Sequence, residues 1–125
     1  MKEVMMLLKV LADETRLRIF FLLMQGECCV CEISGILGIS QPRISQNLAK
    51  LRSLNLVIDR RQDKFMFYQL NMEHVLMQSL LDLLHCATEK DLMIQMDKEK
   101  FNHKDQYDIT CCGPKINLEE EEKND

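Results

Sequence analysis

Apolar residues near the start of the chain recur at helical spacing. Val4, Leu7, Leu8, Leu11 and Ala12 share one face, which predicts an amphipathic helix over 2–12. Asp13 suits the cap of a second helix over 14–25, and Glu14 adds negative charge to its first turn. Leu17, Phe20, Phe21 and Met24 form its main stripe, while Ile19, Leu22 and Leu23 widen it. A helix apolar nearly all round is expected to be buried on several sides. Gly26 is its expected stop. Ile33, Ile36 and Leu37 predict a short third helix over 31–37, and Gly38 suits a sharp turn. Ser40 as N-cap and Pro42 in the first turn open a fourth helix that runs to Leu54, with Ile44, Leu48 and Leu51 inward.

The pattern then turns β-prone. Leu56 to Arg60 and Phe65 to Leu70 read as two strands of a hairpin. Asp63-Lys64 lacks glycine, so a loop of three to five residues is expected at the tip. Met72, Val75, Leu76, Leu80, Leu83, Leu84 and Ala87 restore the helical period and predict a long fifth helix over 72–88. Residues 89–110 are mixed, with weak helical character at Leu92, Met93 and Met96. The expected fold is mainly α with a small β-hairpin, a winged helix-turn-helix. Residues 1–88 form the expected DNA-binding and dimerisation domain. Residues 89–125 form a C-terminal extension with a cysteine pair and an acidic, disordered end.

At 125 residues one domain is expected, and a net charge of −4 argues against a general polyanion binder. The charge is uneven, however. Between 40 and 64 lie Arg43, Lys50, Arg52, Arg60, Arg61 and Lys64 against Asp59 and Asp63 only, enough to dock on phosphates. No stretch reads as a leader or as a membrane span, so a cytoplasmic location is expected. In a reducing compartment the six cysteines point to metal or redox chemistry rather than to a disulfide framework.

The fourth helix carries groups that pair base edges or phosphates: Ser40, Gln41, Arg43, Ser45, Gln46, Asn47 and Lys50. Arg60, Arg61 and Lys64 would lie along the DNA backbone or a minor groove as a wing. Phosphate contacts by the wing would position the protein; the helix would read sequence. The helices over 2–12 and 72–88 are more apolar surface than one small motif can bury. A homodimer through them would bury it and present two recognition helices to double-stranded operator DNA.

Leu11-Ala12-Asp13-Glu14-Thr15-Arg16-Leu17-Arg18-Ile19 resembles a pattern L-x-D-x-T-R-L-x-I. Leu37-Gly38-Ile39-Ser40-Gln41-Pro42, Ser45 and Asn47-Leu48-Ala49-Lys50-Leu51 resemble L-G-x-S-Q-P-x-x-S-x-H-L-x-x-L, with Asn47 in place of His. Over residues 4–88 the chain therefore resembles the ArsR–SmtB family of metal-sensing winged-helix repressors. The resemblance implies a dimeric repressor that releases DNA when its inducer binds. Glu27-Cys28-Cys29-Val30-Cys31-Glu32-Ile33 is similar to the arsenic- and cadmium-type box E-L-C-V-C-D-L. It places Cys29 and Cys31 on the box cysteines, and Ser34 where arsenic sensors often carry a third.

On a regular helix, residues i and i+2 point about 200° apart, whereas in extended backbone they point the same way. Cys29 and Cys31 can therefore share one ion only if the front of the third helix is extended or unwound. Soft thiolates favour As(III) or Sb(III) as inducer, with Cd(II), Pb(II) or Zn(II) as alternatives. Cys28 is one candidate for a third ligand. Cys111 or Cys112 is the other, since some arsenic sensors of the family carry a C-terminal cysteine pair. Cys86 is expected in the core or an interface. The family's zinc sensors use D-x-H and H-x-x-E or H-x-x-H on the fifth helix. Here His74 and His85 match, but Met72 and Thr88 occupy the partner positions, leaving a depleted second site. No enzyme motif is evident, neither a Gly-rich phosphate loop nor an HExxH-type pattern. A thiol redox or persulfide switch on the same cysteines is the alternative within repressors. A metal-binding chaperone or storage protein is the alternative outside them.

Overall fold

A computed structural model describes residues 1–104. The helices are α1 (Lys2–Leu11), α2 (Glu14–Gln25), α3 (Val30–Leu37), α4 (Gln41–Ser53), α5 (Met77–Thr88) and α6 (Leu92–Asn102). Strands β1 (Cys28–Cys29), β2 (Val57–Gln62) and β3 (Phe65–Leu70) form one antiparallel sheet in the order β1-β3-β2. The architecture is a winged helix-turn-helix: α3 and α4 are the motif, and the β2–β3 hairpin is the wing.

The core forms around α2. Ile19, Phe20, Phe21, Leu22 and Leu23 are all buried, as a helix apolar on every side requires. Asp13 caps α2, its carboxylate accepting the Arg16 N–H at 3.0 Å. Ile33 and Ile36 of α3 and Ile44, Leu48 and Leu51 of α4 close the core from the motif side. Between α3 and α4, Gly38 takes a left-handed φ of 69°. A Cβ there would touch nothing within 4 Å, so the backbone conformation, not space, calls for glycine. Ser34 donates its hydroxyl to the Ile39 carbonyl and so fastens the same turn. The residue standing where a third thiol was expected thus holds the motif's corner.

Four features differ from the expectations. First, a two-residue strand, β1, precedes α3. It exists only because β3 pairs with it, Cys28 opposite Tyr68 and Cys29 opposite Phe67. Second, the hairpin turn is two residues rather than three to five: Gln62 pairs with Phe65, and Asp63 takes φ 58°, a conformation aspartate tolerates. Third, α5 begins at Met77, not 72. Asn71 accepts the Glu73 N–H at 3.1 Å and His74 Nδ1 accepts the Leu76 N–H at 3.1 Å. These local bonds satisfy the backbone in a turn and compete with helix. Fourth, the weak pattern at 89–110 holds a regular helix, α6, capped by Asp91 on the Ile94 N–H at 3.1 Å.

Among the described residues, no helix is long and apolar enough to cross a membrane. Exposed apolar residues concentrate on α1 (Val4, Met5, Met6 and Leu8), at Met72, Val75, Leu76 and Leu83, and on α6 (Leu92, Met93 and Met96). A groove of about 470 Å³ runs between α1 and the 74–76 turn, with Leu54 on its wall.

Candidate functional site

The α4 surface divides cleanly. Ser40, Gln41, Arg43, Ser45, Gln46 and Lys50 are exposed on one side of the helix. Ser40 holds the N-cap position through its carbonyl, which accepts the Ile44 N–H at 3.0 Å, and its side chain makes no cap bond. Asn47 departs from the expectation that it faces solvent or DNA. It is 8% exposed; its Oδ1 accepts from Arg16 Nη1 at 3.0 Å and its Nδ2 donates to the Arg43 carbonyl at 2.8 Å. Arg16 also donates Nε to the Val10 carbonyl. One guanidinium thereby ties α1 and α2 to α4, and Arg43 lies 3.5 Å from Thr15 Oγ1 beside it. In the sequence Thr15 and Arg16 carry only the motif resemblance; in the fold they seat α4, and a part-buried arginine aimed at a helix is not legible from spacing.

The wing residues differ among themselves. Arg61 and Lys64 are exposed at the tip. Arg60 is turned towards the cysteine box, where it forks onto the Glu27 carboxylate at 2.7 and 2.8 Å and lies 4.8 Å over the Phe67 ring. The Arg60 hydrogen bonds hold the Glu27 carboxyl below its ordinary range.

In the box, Cys29 has extended backbone (φ −88°, ψ 165°) and takes the N-cap of α3. Glu32 closes a reciprocal capping box with it, its carboxylate accepting the Cys29 N–H at 2.9 Å. Cys31 is partly exposed on the first turn of α3. The two cysteines therefore straddle the boundary between extended chain and helix. Cys28 goes elsewhere. Neighbouring side chains on a strand point to opposite faces, and Cys28 is fully buried within the hydrophobic core. Burial first, and then the Glu32 charge, push its thiol well above the ordinary range. A compact set of three sulfurs is not assembled here. Among the described residues, no three His, Cys, Asp or Glu side chains gather in a metal-binding cluster.

His74 and His85 do not share a helix face, because His74 lies in the turn ahead of α5. His85 instead lines a groove beside Glu27, Leu70 and Asp82. Cys86 is exposed rather than in the protomer's core. Cys111 and Cys112 lie outside the described residues.

A winged helix-turn-helix with a thiol pair set into the front of its motif defines the class: a DNA-binding domain with soft donors beside its reading head. Residues 13–59 match the family model described as bacterial regulatory protein, arsR family. The chain is 52% identical over 66 residues to the arsenical resistance operon repressor of Escherichia coli K12, covering 52% of this chain and 56% of that protein. Reduced HlyU from Vibrio cholerae superposes with a TM-score of 0.64 at 35% identity, over 71% of this chain and 92% of that one. A homodimeric winged helix-turn-helix DNA-binding domain from Mycobacterium bovis, described as that of a possible ArsR-family transcriptional regulator, does so at 0.62 and 32% identity, over 73% and 82%. The chain belongs to the arsR family of bacterial regulatory proteins. It spans about half the length of the Escherichia coli and Pseudomonas putida arsenic-resistance regulators it matches, and 79% of the arsenical resistance operon repressor of Staphylococcus aureus, at 34% identity.

Proposed function

We propose that this protein is a homodimeric transcriptional repressor that releases operator DNA when As(III) or Sb(III) binds its cysteine thiolates. The observation that carries the reading is the placement of Cys29 and Cys31 across the N-cap of α3. Two soft donors at that boundary can converge only if the first turn of α3, residues 30–32, unwinds. Unwinding breaks the bond from the Cys29 N–H to Glu32 and loosens the helix that positions α4. Chelation is thereby coupled to the orientation of the DNA-reading helix. The likeness to the E. coli arsenical resistance operon repressor supports As(III) as the inducer class.

Gln41, Arg43, Ser45, Gln46 and Lys50 meet DNA in this reading, with Ser40 at the helix start; Arg61 and Lys64 hold phosphates from the wing. Asn47 acts by seating α4, and Arg60 by bracing the box. Dimerisation covers the exposed apolar faces of α1 and of 72–88. The third sulfur comes from Cys28, Cys111 or Cys112. The test is thiol-specific metal stoichiometry on Cys28→Ser, Cys29→Ser, Cys31→Ser and Cys111/Cys112→Ser variants, read beside DNA release. Loss of release in Cys29→Ser and Cys31→Ser is expected. Full release in both overturns the assignment.

A thiol redox switch on the same pair is the second reading, favoured by the solved relative that is described as reduced HlyU. It requires that an oxidant release DNA in the absence of any metal.

A further inference from the structure

We propose that α6 is a brace on α3, with Lys104 and Asp97 as positioning residues that hold α3 at its two ends. At the front, Lys104 Nζ donates to the Glu27 carbonyl at 3.0 Å and lies 3.7 Å from the Glu32 carboxylate. That carboxylate is the one that caps the Cys29 N–H. At the back, Asp97 accepts two hydrogen bonds at 3.0 Å from the Arg18 guanidinium. Arg18 Nη2 also reaches the Leu37 carbonyl, at the last residue of α3, at 3.5 Å. Between the two anchors the Phe101 ring closes on Gly26, where an added Cβ would stand 3.1 Å from the ring.

The burial of these groups gives the contacts their weight. Glu32 and Asp97 are each 3% exposed. Burying a carboxylate is costly unless cations and hydrogen bonds offset its lost hydration. Glu32 depends on Lys104, which sits two residues past α6; Asp97 depends on Arg18, which sits on α2. Moving α6 would take Lys104 from Glu32, leaving it the Cys29 N–H, and would part Asp97 from Arg18. The helix therefore favours the wound form of α3, with Cys29 at its N-cap and Cys31 in its first turn. Resting on the repressor reading above, the brace sets how much inducer is needed: weakening it lowers the arsenite concentration that releases DNA.

The test uses the full chain with Lys104→Met and Lys104→Arg. Amide hydrogen exchange at residues 29–34, with no metal present, reads the winding of α3 directly. Because Lys104 is partly exposed, Lys104→Met should raise exchange there only about two- to fivefold, while amides 48–51 of α4 stay unchanged. Lys104→Arg should restore wild-type rates, which a loss of bulk alone would not predict. With arsenite as the probe, the midpoint of DNA release should fall by the same factor in Lys104→Met. Asp97→Asn should raise exchange at residues 35–39, the other end of α3. Unchanged exchange at 29–34 in Lys104→Met, or an equal rise at 48–51, overturns the brace. If arsenite releases no DNA from the wild type, the inducer reading falls, and the exchange rates still decide the brace.

Discussion

Glu32→Ala is the sharpest probe of the coupling between thiols and fold. Glu32 is the third residue of α3 and 3% exposed, and its carboxylate accepts the Cys29 N–H at 2.9 Å. Alanine leaves that N–H, on a residue 2% exposed, without its acceptor. An unsatisfied buried donor costs about 1–3 kcal/mol. The usual cost of losing a cap, about 1 kcal/mol, counts the same bond and is not added. The ion pair with Lys104 contributes less than about 1 kcal/mol, since the lysine is partly exposed. Relief of a buried carboxylate's desolvation acts in the opposite direction. A net loss of about 1–2 kcal/mol is expected in urea denaturation. If inducer binding breaks this cap, the variant has already incurred that cost. Its arsenite midpoint for DNA release should then fall about five- to thirtyfold, at 1.36 kcal/mol per tenfold. Glu32→Gln keeps an acceptor and should lie between wild type and Glu32→Ala. A Glu32→Ala protein that loses the stability yet keeps the wild-type midpoint would refute the idea that the front of α3 unwinds on binding.

Asn47→Ala removes an acceptor for Arg16 and a donor to the Arg43 carbonyl. About 1–2 kcal/mol of stability and a weaker operator complex are expected, measured by denaturation and by anisotropy on labelled DNA. Arg61→Ala with Lys64→Ala should weaken binding about equally on specific and unrelated DNA and flatten the salt dependence by about one unit per residue. A loss confined to the specific site would contradict their role as phosphate contacts. The buried Cys28 thiol is pushed up in the folded state. The folded protein therefore holds that proton more tightly than the unfolded chain does. The stabilisation is complete below the unfolded thiol's value, about 8.5, and is lost as pH rises from there towards the folded value. Denaturation between pH 8 and 10 should show an alkaline slope of up to about 1.4 kcal/mol per pH unit from this group, absent in Cys28→Ala.

Helices α1, α2 and α4 are legible because their apolar periodicity agrees with the fold; the Asp13 cap marks the start of α2 and Pro42 the first turn of α4. Strand β1 is not, because two residues become a strand only through a partner some forty positions away. The late start of α5 hides in polar side chains: Asn71 and His74 bond the backbone locally where the apolar pattern alone continues into 72–76. Helix α6 is faint to hydrophobic periodicity because the residue it buries deepest is Asp97, which is stabilised by Arg18. In the candidate site, Cys29 and Cys31 are readable from type and spacing. The burial of Cys28 and the inward turn of Asn47 are not, since both residue types suit the surface role equally well. Glu32 and Lys104 shape the site and carry no motif; only their positions in space reveal them.

In the proposed mechanism, inducer chelation by Cys29 and Cys31 unwinds the front of α3 and frees the operator. Its most direct measurement is a gel-shift titration of the operator complex with arsenite, run side by side on wild type, Cys29→Ser and Cys31→Ser. Full release in wild type and none in either variant is expected, with all three binding DNA alike before arsenite is added. Unchanged operator binding by wild type at saturating arsenite, or release that persists in both variants, would contradict it.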